Sequence, residues 1–211
     1  MRRFGMITAV AFGLGSTTPL LASEPATYNG YEMPQYSVQQ KDGVIELRQY
    51  EPHIVAEVTV TGTRREAANA GFRLLAGYIF GDNTTADKVA MTSPVTQVAS
   101  EKIEMTSPVT QTGGDGTWTV RFMMPSEYTL DTLPTPESDA IRFVEVDPGQ
   151  RLVLRFSGRA MAKSMAPYVQ QLRDYADAND IAIEGAVEAA YYDDPFTLPW
   201  KRRNEVSFAV R

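Results

Sequence analysis

The sequence reads Lys88-Val-Ala-Met-Thr-Ser-Pro-Val-Thr-Gln97 and, fourteen residues later, Lys102-Ile-Glu-Met-Thr-Ser-Pro-Val-Thr-Gln111. The two copies differ at only two positions, so chance does not account for them. Each copy predicts an extended segment whose proline, lacking an amide hydrogen, belongs at the edge or at a bulge of a sheet. By itself, the repeat therefore predicts a local duplication at the edge of a sheet.

Upstream of the repeat, the residue pattern predicts three strands. Asp42-Gly43 stands between two strand-like stretches in residues 36–50, which is a strong hairpin signal. Residues 53–60 then alternate between apolar and mixed positions, as a strand with one buried face does. The alternation places His53 and Glu57 together on the more polar face.

A helix is predicted after the third strand. Thr63 and Glu66 form a capping box, the apolar pattern continues to about Ile79, and Gly81 is in position to end the helix. The apolar arc is wider than one core stripe, because it extends past the buried side through Phe72. We therefore expect something besides the core to cover that second strip.

Downstream of the repeat, the same order of elements returns. Residues 117–124 alternate as a strand, residues 141–146 and 151–157 predict two more strands, and a helix is predicted to start near Ser164. Two strand-strand-helix units of similar length predict a duplicated α+β fold with antiparallel sheets and two helices. A doubly wound parallel sheet is not expected.

The N-terminus predicts export. Arg2 and Arg3 precede an apolar run over residues 4–14 and a small-residue stretch, the order found in a signal peptide. The run is shorter than the roughly 18–20 residues of a membrane-spanning helix, so we expect no permanent anchor. The predicted divisions are a signal peptide (1–23), an N-terminal arm (24–35) and one domain (36–211), with a periplasmic location.

Charge and cysteine content exclude several classes of function. Loss of the predicted signal peptide would lower the formal net charge from −6 to −8, because the segment holds two arginines and no acidic residue. Such an acidic chain is a poor partner for nucleic acid. The absence of cysteine excludes disulfides, thiolate metal sites, covalent heme attachment and cysteine nucleophiles.

Three ordered stretches resemble the SOUL heme-binding family, whose members carry a Lys-Ile-x-Met-Thr-x-Pro-Val phrase twice. They are the repeat, Tyr50-Glu-Pro with the following Val55-Ala-Glu-Val58, and Asp194-Pro-Phe-Thr-Leu-Pro-Trp-Lys-Arg-Arg-Asn-Glu-Val206. The resemblance covers about residues 36–211. It implies a distorted eight-stranded antiparallel barrel of two pseudo-symmetric halves, each with one helix. It also implies noncovalent binding of heme or another tetrapyrrole, with no reaction common to the family.

The resemblance further implies a hydrophobic groove where the first helix meets the Pro-rich C-terminal loop. An apolar slot edged by cations suits a porphyrin, whose ring is flat and whose two propionates are anionic. Arg73, with Arg65 or Lys201, is a candidate partner for the propionates, whereas Leu198 and Gly77 stand where the family has basic residues. Simple packing of the loop on the helix is the alternative. The candidate lining residues are Asn69, Phe72, Arg73, Ala76, Phe80, Phe196, Leu198 and Trp200.

Candidate iron ligands are few. His53 is the only histidine, and a neutral imidazole is the commonest protein ligand of heme iron. Met91, Met105 or a tyrosine are alternatives, although core packing is the more ordinary role of both methionines.

Three hypotheses remain for the activity. The first is a carrier, buffer or scavenger of tetrapyrroles; the second is an effector-binding module for another amphipathic molecule. The third is a tetrapyrrole-modifying enzyme, for which Glu57, His53 and Arg73 are the groups able to move protons or hold charge. No catalytic arrangement is evident in the sequence. The Arg202-Arg203-Asn204-Glu205 run predicts structural salt bridges.

Overall fold

A computed structural model describes residues 26–84, 100–194 and 196–211. The predicted signal peptide and the first copy of the repeat, with Met91, lie outside these ranges. The strands are β1 (Thr27–Tyr28), β2 (Tyr31–Glu32), β3 (Tyr36–Asp42), β4 (Ile45–Tyr50), β5 (His53–Thr61), β6 (Asn83–Thr84), β7 (Val109–Gly114), β8 (Thr117–Met123), β9 (Thr135–Pro136), β10 (Arg142–Val146), β11 (Gly149–Phe156), β12 (Ile183–Tyr191) and β13 (Asn204–Val210). The helices are α1 (Arg64–Phe80), α2 (Ala162–Ala178) and a 3-10 turn, Pro199–Lys201.

Nine of these strands form one antiparallel sheet in the order β10-β5-β8-β7-β12-β13-β11-β4-β3. The order reflects two equivalent halves, β4-β5-α1-β7-β8 and β10-β11-α2-β12-β13, which meet where β7 pairs with β12. The first strand of each half pairs with a strand of the other half: β4 pairs with β11, and β10 pairs with β5. The structure confirms the duplicated α+β fold. The sheet curls into a half-barrel, and its ninth strand is β3, which lies beside β4.

Short-range sequence signals determine the turn, the buried strand face and the helix start in the first half. The β3–β4 turn is Gly43-Val44, one residue later than Asp42-Gly43, and Gly43 adopts a φ of +56° that favours glycine. Along β5, Ala56 and Val58 are buried beneath α1, as the alternation predicts. The capping box of α1 is present, since the Thr63 amide donates to the Glu66 carboxylate at 3.0 Å.

Helix α1 lies close against the sheet because one of its residues has no side chain. A Cβ atom added at Gly71 would lie 2.6 Å from Val120 on β8, which is closer than packed carbon atoms come. The helix ends at Gly81, whose φ of +124° few other residues adopt. Leu75, Tyr78 and Ile79 of α1 pack on β5 and β8. The first core that they form also contains Val58, Val120, Phe122 and Ile103.

Helix α2 covers the second half in the same way. It begins at Ala162, two residues before the predicted start, and Pro167 falls in its second turn. Leu172 and Ala176 are fully buried and form the second core with residues of β11 and β13. Both helices therefore lie on one face of the sheet.

The second copy of the repeat connects α1 to the centre of the sheet. Ile103 is buried, and its amide donates to the Ile79 carbonyl at 2.9 Å. Pro108 lies just before β7, which is an interior strand between β8 and β12. The expectation that this proline lies at a sheet edge is therefore wrong. Its missing amide is tolerated because it precedes the strand.

The described part of the N-terminal arm packs on the domain. The Ser107 amide donates to the Glu32 carbonyl, and the Ser126 amide donates to the Glu32 carboxylate. The Tyr28 hydroxyl donates to Asp193. Across the described ranges, none of the helices combines the length and the apolar character needed to cross a bilayer.

Candidate functional site

The surface around α1 and the C-terminal loop (residues 192–203) exposes large apolar side chains. We call it the helix face. Phe196 is 95% exposed, Trp200 is 68% exposed and Phe80 is 58% exposed. Leu198 and Phe72 are also exposed, although Phe72 keeps an edge contact with the ring of Phe122, at 5.4 Å between centroids. Most of the apolar side chains predicted for the groove are therefore available to a ligand.

The C-terminal loop is held in place by polar contacts rather than by burial of its aromatic side chains. The Asp194 carboxylate accepts hydrogen bonds from the amides of Phe196, at 2.6 Å, and Thr197, at 2.9 Å. The Phe196 amide and the other donors lower the pKa of Asp194. Further along, the Pro199 carbonyl accepts from the Gly158 amide at 2.9 Å, which ties the loop to the residues preceding α2.

Helix α1 and the start of the loop lie at the same end of the sheet. Phe72 contacts Phe122 on β8, Phe122 is opposite Val109 on β7, and Val109 is opposite Tyr191 on β12. β8 and β12 are therefore two strand spacings apart, which is roughly 10 Å. Because Tyr191 leads directly into the loop, the loop begins about two strands away from Phe72 across the sheet.

The remaining predicted groove residues differ in position. Asn69 is exposed on α1. Ala76 is buried in the first core and presents little surface to a ligand. Arg73 lines a cavity of about 220 Å³ together with Asp82 and Glu137, which are acidic. Those carboxylates place negative charge in the same cavity as its guanidinium. Arg65 and Lys201 are exposed.

Arg64 is a basic residue that the sequence reasoning missed. As the first residue of α1, it lines a cleft of about 330 Å³ between the two helices, whose walls include Met165 and Val169 of α2. Its guanidinium lies 3.3 Å from the Tyr191 hydroxyl and 5.1 Å from the centre of the Trp118 ring. Its position directly after the N-cap Thr63 was the available signal, because it placed Arg64 at the first residue of α1.

His53 and Met105 lie away from this groove. His53 lies on β5 with its side chain on the helix-free face, and its Nδ1 is 3.0 Å from the Glu51 carbonyl oxygen. If Nδ1 donates this bond, Nε2 keeps its lone pair. Met105 is partly buried against the first core. Within the described ranges, no three His, Asp or Glu side chains group closely enough to hold a metal ion.

The face of the sheet opposite the helices is concave. It encloses a cavity of about 300 Å³, to which eight strands contribute, from Val146 on β10 near one edge to Tyr50 on β4 near the other. Burial raises the pKa of Tyr50 to about 12. This cavity has no local sequence signal, because its walls come from strands far apart in the chain.

A row of alternating charges crosses the concave face. Glu57 pairs with Arg142 at 3.3 Å and with Arg121 at 2.8 Å. Glu188 pairs with Arg151 at 3.2 Å and lies 3.9 Å from Arg121. Glu57 is therefore held between two guanidinium groups.

A second charged cluster is buried. Glu205 accepts two hydrogen bonds from Arg48, at 2.9 and 3.0 Å, two from Arg203, and one from the Tyr192 hydroxyl at 2.8 Å. Burial alone would raise the pKa of Glu205, but the bonds and charge of the two arginines hold it below its usual value. Burial raises the pKa of Tyr192. The predicted structural role of the Arg202–Glu205 run is confirmed for Arg203 and Glu205.

A comparison with protein-family models identifies the chain. The model of the SOUL heme-binding protein matches residues 31–209. The chain belongs to the SOUL family. Membership supports tetrapyrrole binding in general, and no curated protein sequence gives a significant match.

Solved structures resemble this SOUL protein in fold. A hydrolase from Listeria innocua matches with a TM-score of 0.54 and 12% identity, over 82% of this chain and 94% of the other. The EcmrR C-terminal domain matches with a TM-score of 0.54 and 11% identity, over 83% and 98%. Sequence identities this low show a shared fold, and function has to be argued from the site.

Proposed function

We propose that this SOUL protein binds heme or a related tetrapyrrole reversibly and without covalent attachment, on the helix face, as a carrier, buffer or scavenger. One observation supports the location: among the described residues, exposed large apolar side chains concentrate there. A patch of this kind marks a binding surface more often than chance exposure does. Those on α1, at the start of α2 and in the C-terminal loop include Phe72, Phe80, Met161, Phe196, Leu198 and Trp200.

The charges around the patch also favour a tetrapyrrole. Arg64, Arg65, Lys163 and Lys201 stand on the first turns of the two helices and in the 3-10 turn, in a chain whose formal net charge is −6. A porphyrin lying on the aromatic loop would direct its anionic propionates toward such cations. Arg64 faces the cleft between the helices, so we propose it as a propionate partner beside the predicted Arg73, Arg65 and Lys201.

The proposed site does not use His53. The side chain of His53 lies on the concave face, on the other side of the sheet from Phe72 and the aromatic loop. The ligand is then held by ring contacts and propionate pairing, with no strong axial ligand from histidine. Metal-free porphyrins should therefore bind about as well as hemin does.

A hemin titration tests the proposal. The purified protein should give a saturable Soret shift at micromolar hemin with one ligand per chain. Trp200→Ala should weaken binding 5- to 30-fold, because an aromatic contact of this kind is worth about 1–2 kcal/mol. Leu130→Ala is the matched control, since Leu130 is an exposed apolar residue on a different loop. No saturable shift, or equal weakening by Leu130→Ala, would contradict the proposal.

A further inference from the structure

The concave face carries a cavity that is separate from the helix face. The cavity of about 300 Å³ adjoins another of about 430 Å³. The two share Pro34, His53, Met123, Val146 and Asp147 in their walls. Each volume falls in the range of small-molecule pockets, about 300–1,000 Å³.

The walls combine aromatic and aliphatic surface with acidic groups. Tyr50, Tyr192, Val55 and Met123 line the first cavity. Pro34 of the N-terminal arm and Pro52, which precedes β5, line the second cavity. The acidic lining residues of the two cavities are Glu32, Glu51, Glu145, Asp147, Glu184, Glu188 and Glu205.

The positive charges that line the first cavity are already paired. Arg121 bonds to Glu57, and Arg151 bonds to Glu188. Asp147, which lines both cavities, and Glu51, which lines the second, have in contrast no ion-pair partner within the described ranges. The uncompensated charge at the shared part of the two cavities is therefore negative. A tetrapyrrole would bring its propionates against these carboxylates, so the concave face disfavours it.

We propose that the concave cavities bind a small amphipathic organic cation, independently of the tetrapyrrole. The apolar part of such a ligand would contact the aromatic and aliphatic walls, and its positive charge would face the unpaired carboxylates around Asp147. The ring of Tyr50 adds to this preference, because a cation over an aromatic face is attracted by the ring, whereas the ring of Tyr192 already has the Arg203 guanidinium 3.9 Å from its centre. The two binding sites are on opposite faces of the same sheet.

Two dyes with one ring system and opposite charge test the proposal. Rhodamine 123 is a cation and fluorescein is an anion, and fluorescence anisotropy measures the binding of either. Rhodamine 123 should bind saturably, at least tenfold more tightly than fluorescein. Equal binding of the two dyes, or no binding of rhodamine 123, overturns the proposal.

Variants locate the bound dye. Asp147→Asn should weaken rhodamine 123 binding about 3- to 10-fold, because one nearby unit charge is removed. Ala190→Leu narrows the first cavity and should weaken binding at least tenfold, with circular dichroism confirming the fold. Asp131→Asn is the matched control on an exposed loop, and Trp200→Ala should also leave rhodamine 123 binding unchanged.

The same variants separate this proposal from tetrapyrrole binding. If Trp200→Ala weakens rhodamine 123 binding as much as Asp147→Asn does, the dye lies on the helix face and the second site is wrong. If Asp147→Asn and Ala190→Leu both leave binding unchanged, the concave site is also wrong. Hemin binding is measured separately, so its failure does not affect this result.

Discussion

Replacing Glu205 by glutamine tests how the buried charges hold the two halves together. Glu205 on β13 accepts bonds from Arg48 on β4 and from Arg203, and the Glu205 and Arg48 side chains are almost fully buried. Glutamine keeps the size of the side chain but removes its charge. Arg203 would then lose its anion in the interior, whereas Arg48 would keep Glu46, which lies 2.8 Å away.

The magnitude follows from the burial of the partners. Removing one member of a buried ion pair costs about 3–5 kcal/mol of unfolding free energy, because an uncompensated charge stays in the interior. For a domain of this size, each kcal/mol lowers Tm by about 2–4 °C, so we expect Tm to fall by roughly 6–20 °C.

Urea unfolding followed by circular dichroism measures this loss. Glu184→Gln is the matched control, because the Glu184 side chain forms an exposed ion pair with Arg211 at 3.2 Å. Exposed pairs of this kind contribute at most about 1 kcal/mol. A loss below about 1 kcal/mol for Glu205→Gln, or an equal loss in both variants, would refute the reasoning.

The stability difference between wild type and Glu205→Gln should depend on pH. The pKa of Glu205 is lower in the folded state, so its contribution is fully present above its unfolded pKa of about 4.3. The contribution is lost as the pH falls through the folded pKa. The stability difference between wild type and Glu205→Gln should therefore be constant from pH 5 to 7 and shrink below pH 4. A difference that grows on acidification would contradict this assignment.

Three further predictions concern packing, capping and the iron ligand. In urea unfolding, Gly71→Ala should lower the unfolding free energy by about 1–3 kcal/mol, because the added Cβ would meet Val120. Gly114→Ala is the control: its Cβ would enter open space, so the unfolding free energy should change by less than about 0.5 kcal/mol. Thr63→Ala should cost about 1 kcal/mol in the same assay through loss of the α1 cap, and an unchanged midpoint would argue against the cap. His53→Ala should leave the hemin dissociation constant within twofold, and loss of the Soret shift in this variant would restore histidine as an axial ligand.

Much of the local structure could be predicted from the sequence. The alternation in β5, the capping box at Thr63 and the glycine that ends α1 all involve residues within a few positions of each other. Periodicity and capping report such short-range preferences directly. The repetition of strand-strand-helix units likewise predicted the duplicated fold.

The long-range arrangement could not be predicted in this way. Nothing in the spacing of β4 shows that it pairs with β11 of the other half, and Arg48 and Glu205 are 157 residues apart. The concave cavity depends on that exchange of strands. The site proposed on the helix face rests on the family motif, which includes the C-terminal loop, and the position of Arg64 was missed.

The location of the tetrapyrrole is tested most directly by fluorine NMR. The chain has two tryptophans, so protein labelled with 5-fluorotryptophan gives two signals. Trp118 lies near the start of β8, and Trp200 lies in the C-terminal loop. Trp118→Phe and Trp200→Phe assign them. Titration with diamagnetic zinc protoporphyrin should shift the Trp200 signal in a saturable manner, through the ring current of the bound porphyrin. An unchanged Trp200 signal at saturation would contradict binding on the helix face.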